Sequence, residues 1–202
     1  MGRAAFLSLD GLDGSGKSTQ CRLLADWLRT QGHTVTLCYE PGSTALGEQL
    51  RAIVLQHQVC LPAEALLFMA SRAQLLDEVI RPALAEGQTI VCDRFELSTI
   101  VYQGHAGGLD VDHLWEIGRF ITQAVVPDLT FLLDMPPSAA TGRIQRELDR
   151  MEQHGDDFRE RLRAGFLAEA AAQSDRIVII NANQPIETVQ AEIQTAAQKL
   201  LR

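Results

Sequence analysis

The stretch Phe6-Leu7-Ser8-Leu9-Asp10-Gly11-Leu12-Asp13-Gly14-Ser15-Gly16-Lys17-Ser18-Thr19 decides how the rest of the chain is read. Its second half fits the spacing Gly-x-x-x-x-Gly-Lys-Ser/Thr, from Gly11 through Gly16 and Lys17 to Ser18. Glycines let successive backbone N–H groups converge on phosphate oxygens. A helix starting at Lys17 adds its N-terminal dipole to the same spot. Lys17 has the reach for β- and γ-phosphates, and the Ser18 hydroxyl suits Mg²⁺. The flanks agree: residues 4–9 read as a buried strand and Thr19 to Leu28 as an amphipathic helix. Gly11, Leu12, Asp13, Gly14, Ser15, Gly16, Lys17, Ser18 and Thr19 are therefore expected to bind a nucleoside triphosphate such as ATP.

Outward from this loop, strand-like and helical runs alternate, which points to a parallel α/β sheet. Strands are expected near 4–9, 34–39, 88–92, 129–133 and 176–180. Helices are expected near 17–31, 45–57, 63–86, 97–104, 110–125, 137–147, 153–173 and 185–201. The least hydrophobic and most charged segment, 143–163, reads as a solvated helix pair or a mobile lid. With 202 residues and no linker-like composition, one domain over 1–202 is expected.

The net charge of −8 argues against a broad nucleic-acid or anionic-membrane surface. No apolar run approaches membrane-spanning length and no signal-peptide pattern opens the chain. The cysteines at 21, 38, 60 and 92 form no C-x-x-C pair and are expected as buried reduced thiols. The expectation is a cytoplasmic protein.

In open α/β sheets ligands gather at the carboxyl ends of the strands. Strand two is followed by Glu40-Pro41-Gly42-Ser43-Thr44 and strand three by Asp93-Arg94-Phe95. Asp93 stands where a second acid of a Mg²⁺ shell belongs, or serves as a cap. Arg94 either pairs with Asp93 or clamps a second phosphate.

Taken together, Gly-x-Asp-Gly-x-Gly-Lys-Ser-Thr, Glu-Pro-Gly-x-Thr, Asp-Arg-Phe-x-x-Ser-x-x-x-Tyr-Gln-Gly and Glu-Leu-Asp-Arg-Met-Glu resemble the bacterial thymidylate kinase family over nearly the whole chain. The resemblance implies a P-loop NTPase three-layer sandwich: a five-stranded parallel sheet, helices on both faces and a short Arg-rich lid at about 143–156. It also implies Mg-ATP as donor, dTMP as acceptor, dTDP as product and a homodimer. By the same resemblance, Asp13 bonds the acceptor sugar 3′-hydroxyl, and Arg51 and Arg94 hold the acceptor phosphate. Glu40 and Pro41 belong to the acceptor loop. Phe68 stacks on thymine and Arg72 donates to its carbonyl edge, on one helix face at i, i+4. Ser98, Thr99, Tyr102 and Gln103 read the base and crowd the 2′ side of the sugar.

Two departures from the family pattern stand out. Ser43 replaces a glycine, and Val101 replaces an alanine where it is expected to narrow the acceptor pocket. The loop also carries Gly14-Ser15 where some relatives have an arginine, so the lid is expected to supply the cations for transfer. Arg143, Arg146 and Arg150 share a helical face at i, i+3 and i, i+4, although relatives often have glycine at position 146. Competing readings are another P-loop nucleoside or nucleotide kinase, or a nucleotide-dependent switch ATPase. The latter leaves the acceptor arginines without a task.

Overall fold

A computed structural model describes residues 4–145 and 155–201. Five strands pair in parallel in the order β2-β3-β1-β4-β5: β1 Phe6–Gly11, β2 Val35–Tyr39, β3 Thr89–Asp93, β4 Leu129–Asp134 and β5 Ile177–Asn181. The three central strands are apolar runs because both of their faces are covered. Two hydroxyls in this interior satisfy one another, Ser8 and Thr130 at 2.8 Å. Edge strands β2 and β5 are only partly buried. The expected α/β architecture is present.

The helices are α1 Lys17–Thr30, α2 Ala45–Gln56, α3 Leu61–Leu75, α4 Arg81–Ala85, α5 Glu96–Thr99, α6 Val111–Thr122, α7 Pro137–Gly142, α8 Asp156–Ala172 and α9 Ile186–Leu201. The single helix expected over 63–86 is α3 and α4 joined by a π-helical turn at Leu76–Ile80. Pro82 explains the turn, since it has no N–H to donate and its ring crowds the carbonyl one turn back. Likewise α5 runs into π-helical backbone over Ile100–Ala106.

Three expectations need correction. The helix read over 137–147 ends at Gly142, closed by turn bonds from Arg143 N to Ala140 O and from Ile144 N to Thr141 O, both 3.1 Å. Arg143 is thus just past a helix, and Arg146 and Arg150 lie outside the described residues. Cys21, Cys38 and Cys92 are buried free thiols, but Cys60 is exposed at the N-cap of α3. Val101 is fully buried against Gly165 of α8 and does not border the cavity that Phe68, Arg72 and Tyr102 line.

Register positions the functional ends. Leu9 and Tyr39 both lie level with Asp93. Beyond them, Arg94 N donates to Leu9 O at 2.9 Å and Glu40 N to Asp93 O at 3.0 Å. The loops after β1, β2 and β3 therefore leave the sheet side by side.

Candidate active site

The loop after β1 curls back on itself because three of its glycines, Gly11, Gly14 and Gly16, have positive φ. At Gly14 the need is also steric, since a Cβ there would sit 2.1 Å from the Ala140 carbonyl oxygen. Residues Asp13 to Thr19 border a cleft of about 1170 Å³. Gly11 and Leu12 lie behind it, and their carbonyls accept from Lys17 Nζ at 3.1 and 2.7 Å. Burial, then the nearby Arg94 charge, lowers the Lys17 ammonium to about 8. At the cleft edge, Ser18 Oγ donates to Asp93 Oδ2 at 2.5 Å. Arg143 and Arg51 border the same cleft.

A second cavity, about 100 Å³, adjoins the first. Pro41, Phe68, Arg72, Ser98, Thr99, Tyr102 and Gln103 border it, and Asp13, Glu40, Arg51 and Arg94 border both spaces. Every acceptor-side residue expected from the sequence is thus brought to this one place.

Asp13 and Arg94 form the partition. The Arg94 guanidinium donates to the Asp13 carboxylate, to Ser98 Oγ at 2.9 Å and to Gly11 O at 3.2 Å. Tyr102 donates its hydroxyl to Asp13 Oδ2 at 2.8 Å, and Ser98 donates to Asp10 Oδ1 at 2.6 Å. Partial burial pushes the Asp13 carboxyl up, but Arg94 first and Lys17 second hold it well below the carboxylate range. Asp10, by contrast, is raised by complete burial. Arg94 does not pair with Asp93, its sequence neighbour; it has φ +68 and turns back to Asp13.

Arg72 is tied on three sides, and one of its nitrogens is buried without a partner among the described residues. Nε donates to Glu40 Oε2 at 2.9 Å, and Nη2 donates to Phe95 O at 3.2 Å and Thr99 Oγ1 at 2.9 Å. Its guanidinium lies over the Phe95 ring, 5.2 Å from the centroid. Nη1 is buried without a partner, as are Glu40 Oε1 and Gln103 Oε1. Burial raises the Glu40 carboxyl to about 7 despite Arg72. Phe68 remains half-buried at the cavity wall.

Ser43 follows Gly42 and adopts a left-handed backbone without being a second glycine. At φ +63, its Oγ accepts from Tyr39 N at 2.8 Å and donates to Tyr39 O at 3.1 Å. These bonds offset part of the cost of a left-handed serine.

Ala182, Gln184, Pro185, Ile186 and Val189 also border the large cleft, and the sequence reading missed them. They follow β5, so the rule that ligands gather past strand ends pointed to them. No residue type there advertises the role. Leu55 and Phe95 border the smaller cavity and were likewise not expected there.

A model of the family described as thymidylate kinase matches residues 9–193. The chain belongs to the thymidylate kinase family. It is 42% identical over 200 residues to a thymidylate kinase of Bordetella petrii, covering 98% of this chain and 97% of that one. To a thymidylate kinase of Clavibacter sepedonicus it is 41% identical over 201 residues, covering 97% and 95%. Among solved structures, the thymidylate kinase from Ehrlichia chaffeensis superposes with a TM-score of 0.81 at 32% identity. That match covers 97% of this chain and 99% of the other.

Proposed function

We propose that this chain transfers the γ-phosphoryl group of ATP to dTMP, giving dTDP and ADP. One observation supports the acceptor most directly. Arg72 and Gln103 line the cavity beside the phosphate loop, and each has one buried polar atom, the donor Nη1 and the acceptor Oε1, without a partner among the described residues. Leaving such atoms unpaired costs about 1–3 kcal/mol each, so the cavity suits a ligand carrying a complementary polar edge. Phe68 offers that ligand a ring surface.

In this reading Lys17 binds the β- and γ-phosphates, and Arg51 and Arg94 hold the acceptor phosphate in line. Asp13 accepts from the sugar 3′-hydroxyl. Because the attacking phosphate oxygen is already ionised near neutral pH, no strong general base is needed. Ser18 Oγ and Asp93 Oδ2 are adjacent hard oxygen donors at the cleft edge and fit Mg²⁺. Bound with ATP, that ion supplies charge neutralisation for the β- and γ-oxygens. Arg143 borders the cleft and, with Arg146 and Arg150 of a lid over about 143–156, brings cations to the transferring group.

A homodimer is part of the same reading. Ile53 of α2, Leu66 of α3 and Phe120 of α6 are 39%, 56% and 80% exposed on three neighbouring helices. An apolar surface of that kind fits burial against a second copy. The free thiols fit a reducing, cytoplasmic setting.

The test is ADP release from ATP and Mg²⁺ with dTMP, dUMP, dCMP, dGMP or dAMP supplied singly. Fastest turnover is expected with dTMP. Equal rates with and without an acceptor would replace the kinase by an ATPase.

A further inference from the structure

Glu64 lies in the first turn of α3, on the same helical stripe as Phe68 and Arg72 at i+4 and i+8. It is buried, yet it does not border the acceptor cavity. Gln103, on the π-helical segment opposite, does border it. Between them runs one buried bond, from Gln103 Nε2 to Glu64 Oε1 at 2.9 Å.

A glutamine amide has two nearly isosteric ends, one donor and one acceptor, and a 180° turn exchanges them. An ionised carboxylate has acceptors only. Accepting from Gln103, Glu64 holds the NH₂ end of the amide toward itself, which leaves the carbonyl Oε1 as the end without a partner among the described residues. In the same cavity wall the unpartnered atom of Arg72 is a donor. Together they present one acceptor and one donor. Thymine matches this polarity, with an N3–H next to a C4 carbonyl. Cytosine carries the reverse, an unprotonated N3 next to an amino group, and would set acceptor against acceptor and donor against donor.

We propose that Glu64 is a positioning residue. By fixing which end of the Gln103 amide faces the cavity, it makes the acceptor site select a base with an N–H beside a carbonyl. The proposal deepens the dTMP reading above and rests on the cavity being the acceptor site.

Equilibrium binding of dTMP and dCMP, measured by calorimetry on the whole protein, tests it without requiring turnover. Glu64→Gln preserves shape but lets the Gln103 amide turn. It should reduce the preference for dTMP over dCMP about tenfold or more, with ATP binding unchanged. Gln103→Leu should reduce the preference by itself, which keeps the test open if the Glu64 variant does not fold. Added to Gln103→Leu, Glu64→Gln should change the preference no further. An unchanged preference in either single variant overturns the proposal, and so does a full additional loss in the double variant, since Glu64 would then act by another route. If the wild type prefers dTMP in binding but transfers no phosphate, the kinase reading fails and this inference stands.

Discussion

Arg94 is paired with Asp13 across the phosphate loop, and both residues border the large cleft and the smaller cavity beside it. The pair is held from behind, Arg94 by Ser98 and Asp13 by Tyr102. An anion reaching Arg94 from the acceptor side therefore meets a guanidinium whose orientation is already set. Preorganised charge of this kind needs little rearrangement when two phosphates approach.

Arg94→Lys tests that geometry while keeping the charge. Lysine cannot reproduce the fork that reaches Gly11 O, Ser98 Oγ and Asp13 together. We expect kcat/KM for dTMP to fall about 10- to 100-fold, the loss typical of one or two charge-assisted bonds. KM for ATP should change little. Parallel losses for both substrates would make Arg94 a general support of the loop.

Lys17 gives a pH signature. Its folded value of about 8 lies below the ordinary 10.5, because burial and then Arg94 disfavour its charge. The unfolded chain therefore binds more protons between those two values, and this contribution to stability rises with pH across that window. It is lost as pH falls through about 8. Lys17→Met should raise stability by a few kcal/mol below pH 8 and flatten the rise, measured by urea unfolding from pH 7 to 10 without nucleotide. The same variant should lose phosphoryl transfer.

At Ser43 the strain and the hydrogen bonds can be separated. Ser43→Ala keeps the left-handed backbone and loses both bonds to Tyr39, and should cost about 1–2 kcal/mol. Ser43→Gly also loses the bonds but relieves the backbone, recovering about 1 kcal/mol. Urea midpoints should rank wild type, then glycine, then alanine. Alanine at or above glycine would mean that the left-handed backbone carries no measurable strain.

The proposed role of Arg143 and Arg150 in transfer is tested by rate. Arg143→Ala and Arg150→Ala, singly and together, should lower kcat while leaving dTMP affinity nearly intact. Supplying such a cation is worth about 10³–10⁵ in other phosphoryl-transfer enzymes, so the double variant should lose about 10³. A wild-type kcat in that variant would assign charge neutralisation to Lys17 and Arg94 alone.

Sequence alone determined the sheet and the phosphate loop, because each rests on local or strongly patterned signals, whereas the acceptor residues were expected only from the resemblance of their motifs to a family. Apolar runs between helices required buried parallel strands, and three glycines with Lys17 and Ser18 are legible without neighbours. Even β1 was misjudged at its end: it runs on through Asp10 and Gly11, since a buried carboxylate reads as polar until Ser98 is seen bonded to it. Tertiary structure alone decided the partners. Arg94 turns from Asp93, one residue away, to Asp13, 81 residues away, because the left-handed backbone at position 94 and the β1–β3 register bring those two together. Nothing in the sequence marks Glu40, Glu64 and Arg72 as buried or shows which groups they pair with. Their burial and pairing arise only when β2, α3 and the π-helical segment close on one cavity, where a charge removed from water must find a partner.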